Sequence, residues 1–160
     1  AAGNYAASLY ASRIASTMGY TQVLWLDARE NRYVEEVGTS NIFFLIEDRL
    51  ITPPLGGTIL PGVTRNSVIK LAAHLGVKVE ESRLTITEVI SAIENGTLRD
   101  AFATGTAAVI SPVGQIFYHN REYLINDGKT GELAEKLYNE ILQIQYGTRE
   151  DPFGWRMQID

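Results

Sequence analysis

The chain has no cysteine and only two histidines in 160 residues. The first absence excludes disulfides, a thiol nucleophile and cysteine-ligated metal. The second leaves His74 and His119 as the only imidazoles, too few for a structural zinc site. Long apolar runs are also missing: nothing approaches the roughly 18 residues of a membrane span, and no charged-then-apolar leader stands at the start. Basic charge is scarce, with 14 Lys and Arg against 19 Asp and Glu, a net of -5, and the basic residues are scattered singly. Nucleic acid and membrane surfaces are therefore poor partners, and a cytoplasmic location is expected. Methionine does not open the chain, which begins Ala1-Ala2-Gly3-Asn4-Tyr5 and reads as a piece of something longer. What remains, 45% hydrophobic and 21% charged residues, is enough to bury the core of one domain over residues 1–160.

Periodicity divides this domain into alternating elements. Residues 5–18 carry Leu9, Ile14 and Met18 on one helical face and stop at Gly19. Residues 22–26, 33–37 and 41–46 are β-rich runs parted by polar clusters, which predicts consecutive antiparallel strands. Pro53-Pro54-Leu55-Gly56-Gly57 can only be a loop, because proline lacks the N–H a central strand needs. Helical spacing resumes over 65–75, and a strand is expected over 78–81. Thr85-x-x-Glu88 has the form of a capping box opening a helix to about Glu94. After residues 100–103 and the Gly-Thr turn, 109–110, 115–118 and 122–125 predict a second meander, and 131–146 the longest helix. Phe153 and Trp155 in the tail offer apolar surface for a neighbour. Strand meanders among three or four helices predict a mixed α+β fold, and no G-x-G-x-x-G follows an early strand as a Rossmann domain would require.

The chemically informative stretch is Leu60-Pro61-Gly62-Val63-Thr64-Arg65-Asn66-Ser67. A Pro-Gly turn feeding a helix presents free N–H groups and the positive end of the helix dipole, the build of an anion cup. Arg65 could clamp a phosphate there or point to solvent. A carboxylate segment, Glu36-Val37-Gly38-Thr39, lies upstream and a Gly-Thr turn, Thr104-Gly105-Thr106-Ala107, downstream. The three together suggest a phosphorylated cofactor rather than free phosphate. Phe43, Phe44 and Trp25 are assigned to the core, and by strand alternation Glu35 and Glu36 lie on opposite faces, one in and one out.

With Gly3-Asn4-Tyr5, Gln22-Val23-Leu24-Trp25-Leu26, Thr52-Pro53-Pro54-Leu55 and Glu36-Val37-Gly38-Thr39-x-Asn41, these segments closely resemble the branched-chain amino acid aminotransferases. Those are class IV aminotransferases, the fold-type IV pyridoxal-phosphate enzymes. The resemblance covers the C-terminal, larger domain and implies a curved, largely antiparallel sheet or pseudo-barrel with flanking helices. It also implies pyridoxal 5'-phosphate as cofactor, held by Tyr5 at the ring hydroxylate, Glu36 at the ring nitrogen, Leu60 on the ring face, and Gly62, Val63, Thr64 and Thr106 at the phosphate. Thr39, Thr106 and Ala107 would meet substrate. The lysine that bonds the cofactor would stand immediately before Ala1, so this chain alone is expected not to transaminate. No catalytic residue or metal ligand is assigned within it.

The activity so implied is exchange of the amino group of leucine, isoleucine or valine with 2-oxoglutarate. A smaller N-terminal domain and a second copy of the protein are expected as partners, besides the amino acids and 2-oxo acids themselves. D-amino acid aminotransferase and aminodeoxychorismate lyase share the cofactor cup and are the nearest alternatives. A non-catalytic phosphate-binding or interaction domain is an alternative of another class.

Overall fold

The computed structural model describes residues 6–157 and 159. Among the described residues four α-helices, α1 (Ser8–Thr17), α2 (Val63–His74), α3 (Ile86–Glu94) and α4 (Glu132–Tyr146), stand with nine strands and a 3-10 turn at Asn126–Gly128. The strands are β1 (Leu24–Leu26), β2 (Val34–Val37), β3 (Ser40–Ile46), β4 (Arg49–Thr52), β5 (Lys78–Glu81), β6 (Leu98–Gly105), β7 (Val109–Pro112), β8 (Gln115–Tyr118) and β9 (Arg121–Leu124). The α+β expectation holds. The first seven strands form one sheet, antiparallel except for the β4–β5 pair, and it does not close into a barrel.

Strand β3 organises this sheet. Its neighbour β6 runs along one edge from Asn41↔Thr104 to Ile46↔Leu98, so β2 and β4 share the other. Strand β2 meets only Ser40 and Asn41, while β4 meets residues 44–46. Side chains of a strand alternate between faces, and β3 separates two cores accordingly. Ile42, Phe44 and Ile46 join Val89 and Ile90 of α3, whereas Phe43 joins Val68 and Leu71 of α2 and Leu137 and Ile141 of α4. Phe43 and Phe102, directly opposite across β3 and β6, stack at 5.3 Å. Burying Phe43, Phe44 and Phe102 completely contributes about 2–3 kcal/mol each in transfer free energy.

Local chemistry explains the junctions. The Thr85 hydroxyl accepts from the Glu88 N–H at 3.1 Å and the Glu88 carboxylate accepts from the Thr85 N–H at 2.7 Å, the expected capping box. Asp27, buried between β1 and β2, accepts N–H bonds from Glu30, Arg32 and Tyr33. These bonds, Tyr33's foremost, hold its carboxyl down at about 2. Two expectations are corrected, and one strand lies where none was expected. The run 49–52 is a strand that the sequence pattern did not suggest. The second meander is split, since β6 and β7 belong to the main sheet and β8–β9 form a separate hairpin. Phe153 and Trp155 stack on each other at 4.3 Å, and Phe153 meets His74 edge-on at 5.5 Å, so the tail covers this chain's own α2 and α4 core. Among the described residues no helix is long and apolar enough to cross a membrane.

Candidate functional site

Because β2 and β4 leave β3 along the same edge, they part around Ile42, whose carbonyl is taken by the Thr52 hydroxyl at 2.8 Å. The loop from Pro53 returns to this split before opening α2. Asn41, 5% exposed, meets it there, donating from Nδ2 to the Leu60 carbonyl at 2.9 Å and to Glu36 Oε1 at 3.1 Å. The Leu60 N–H adds a longer bond to the same carboxylate oxygen at 3.3 Å. Glu36 is half-buried, and that burial raises its carboxyl above the ordinary value. The Leu60 N–H draws it back and the adjacent Glu35 charge pushes it further up. A carboxylate so placed, poorly hydrated and beside a like charge, gains strongly from a cationic partner. Glu35 itself accepts the Thr58 hydroxyl at 2.7 Å, a bond no local pattern foretold.

Gly62 enters α2 with extended backbone (φ -64°, ψ 136°), and no side chain caps the helix. A Cβ at Gly62 would collide with Asn41 Oδ1, so only glycine lets the turn sit this close to β3. Leu60 and Val63 are 66% and 83% exposed, and Thr64 is half-buried, so the helix start opens outward. Arg65 follows neither course open to it in the sequence. Its guanidinium is buried, donating from Nη2 to Glu81 at 2.6 Å and to the Pro53 carbonyl at 2.9 Å. It pins both ends of the loop to β5 through the Glu81 carboxylate instead of pointing to solvent.

The remaining candidates fall on the opposite face. Thr39, Thr106 and Ala107 are exposed residues lining a cavity of about 860 Å³ with Ser40, Ile42 and Ala103, while Glu36 and residues 60–64 do not line it. The two groups nevertheless share one end of the sheet. Asn41 is paired with Thr104, and Thr39 and Thr106 each stand two residues away in adjoining turns. Thr104, 2% exposed, keeps a hydroxyl with no partner among the described residues, as does Arg65 at Nε. The structure thus joins Glu36 with Leu60, Gly62 and the start of α2, and Thr39 with Thr106 and Ala107. Tyr5 lies outside the described residues. Asn41 was visible in the sequence only as part of a motif, and Thr104 only as the first residue of the Gly-Thr turn.

Chemically, the first group offers backbone N–H donors at the positive end of a twelve-residue helix and a half-buried carboxylate joined to the same turn. That donor set suits a ligand with a phosphate at one point and a protonated ring nitrogen at another, and pyridoxal phosphate has both. The family model for amino-transferase class IV matches residues 2–116. The probable branched-chain-amino-acid aminotransferase of Staphylococcus aureus (strain N315) is 53% identical over 158 residues, covering 99% of this chain and 44% of that protein. Branched-chain-amino-acid aminotransferase 2 of Bacillus subtilis (strain 168) is 52% identical with the same coverage. Among solved structures, the branched-chain amino acid aminotransferase of Escherichia coli superposes with a TM-score of 0.81 at 32% identity, over 96% of this chain and 47% of its own. A second solved branched-chain amino acid aminotransferase, complexed with N-(5'-phosphopyridoxyl)-L-glutamate, gives 0.80 at 32% identity, over 96% and 47%. The chain spans less than half the length of the curated relatives it matches.

Proposed function

The chain belongs to the class IV aminotransferases, and from that premise we propose that it is the cofactor-holding part of a branched-chain aminotransferase. The full protein exchanges the amino group of leucine, isoleucine or valine with 2-oxoglutarate, using pyridoxal 5'-phosphate. When bound, that cofactor supplies an electron sink for the pair left behind as the substrate loses its α-proton. This chain's residues bind and orient. Glu36 keeps the ring nitrogen protonated, since a half-buried carboxylate favours an adjacent cation. Val63 and Thr64 give backbone N–H donors to the phosphate, Thr64 and Thr106 add hydroxyls, and Gly62 admits the turn. Leu60 packs on the ring and Tyr5 donates to its hydroxylate. Thr39, Thr106 and Ala107 face the substrate. The proton-shuttling lysine belongs immediately before Ala1 in the full-length protein. A smaller N-terminal domain and a second copy complete the site, in the cytoplasm.

One observation carries this reading: a carboxylate raised by burial is hydrogen-bonded to the same turn that opens an uncapped helix. The relatives' names support the choice of substrate. Assaying the full-length protein with L-leucine and with D-alanine against 2-oxoglutarate tests it. Turnover of L-leucine is expected, and turnover of D-alanine alone would move the protein to the D-amino acid branch of the family.

A further inference from the structure

Asn41 does more than lie near Glu36. Its one amide group holds two other parts of the chain, the Glu36 carboxylate at 3.1 Å and the Leu60 carbonyl at 2.9 Å, while its Oδ1 rests against Gly62. The Leu60 N–H donates to the same Glu36 oxygen at 3.3 Å, which closes a ring of contacts through β2, β3 and the turn. The two Nδ2 hydrogens lie in one plane at a fixed angle, so one bond cannot be reoriented without disturbing the other. At 5% exposure, no bulk water stands ready to replace a lost partner.

We propose that Asn41 is a positioning residue that couples the Glu36 carboxylate to the 60–62 turn, so that orientation of the carboxylate and shape of the helix entrance change together. For the cofactor this rests on the reading above, whereas the coupling itself is a property of the free protein. It makes the carboxylate and the anion cup one preorganised unit rather than two independent contacts. The other charged group beside Glu36 is Glu35, whose carboxylate is engaged by Thr58. An N–H aimed at a carboxylate favours its anion, so loss of the Asn41 donor raises Glu36 further and frees the Leu60 carbonyl at the same time.

The test uses the full-length protein without cofactor. In Asn41→Ala, the Glu36 carboxyl, followed by carbon-13 NMR, should titrate about one unit higher, and the Leu60 amide should exchange roughly tenfold faster. Asn41→Leu keeps a similar side-chain size with neither donor nor charge and should produce both changes if the alanine variant fails to fold. A folded variant in which either quantity stays at the wild-type value overturns the coupling. Pyridoxal phosphate is then titrated into wild type, Asn41→Ala, Glu36→Gln and the double variant. Losses in affinity that combine to less than their product support the coupling, and losses that multiply contradict it. If the NMR changes occur while wild type binds no pyridoxal phosphate, the cofactor reading falls and the coupling stands. Normal cofactor binding without the NMR changes overturns the coupling and leaves the cofactor reading in place.

Discussion

Helices α2 and α4 both start from a glycine in extended backbone, Gly62 (φ -64°, ψ 136°) and Gly131 (φ -75°, ψ 154°), and neither glycine supplies a capping side chain. At α4 the deficit is filled from the sheet. Asp100 of β6, 2% exposed, accepts the Ala134 N–H at 2.8 Å and presses so close to Gly131 that a Cβ would strike its carboxylate. At α2 the residue in the corresponding place is Asn41, but its N–H groups are turned to Glu36 and the Leu60 carbonyl, and the helix start stays uncapped. The same backbone device is therefore sealed where it only supports the core and left open where it faces outward. Helix α3 belongs with the sealed ends, through Thr85 and Glu88.

The contrast is broken most severely at Asp100. Asp100→Ala leaves buried N–H groups of the α4 entrance without an acceptor and should cost about 2–3 kcal/mol, read from urea denaturation of the full-length protein. Affinity for pyridoxal phosphate should be unchanged once the protein is folded. Thr85→Ala removes the capping hydroxyl of α3 and should cost about 1 kcal/mol by the same measurement, again without effect on cofactor affinity. If either variant selectively weakened the cofactor, the division between sealed and open ends would be wrong.

How much of this was legible in the sequence depended on the range of the interaction. The capping box of α3 is local, four residues that satisfy one another, and it reads directly from Thr85-x-x-Glu88. Helices α2 and α4 and the buried faces of β3 follow from periodicity. Strand β4 did not, because it is a four-residue strand after a tight turn at Glu47 (φ 55°), and its parallel pairing with β5 crosses the whole of α2. The fate of Arg65 was likewise invisible, since its burial is decided by Glu81, sixteen residues away, and by the Pro53 carbonyl. The candidate site was legible as a set of motifs through family resemblance. That Glu36 and the turn are tied through Asn41, while Thr39 and Thr106 line the opposite face, depends on which strand edges β2 and β4 occupy.

The open end of α2 can be tested without touching its packing. Val63 is the first residue of the helix and 83% exposed, a position where proline suits the backbone and the preceding extended Gly62 accommodates it. Val63→Pro therefore deletes one N–H donor while leaving the helix intact. The full-length variant is expected to melt at or above the wild-type temperature yet bind pyridoxal 5'-phosphate about fivefold more weakly, with affinity for phosphate-free pyridoxal unchanged. Equal loss for both ligands, or no loss for either, would contradict the claim that this helix start holds the phosphate.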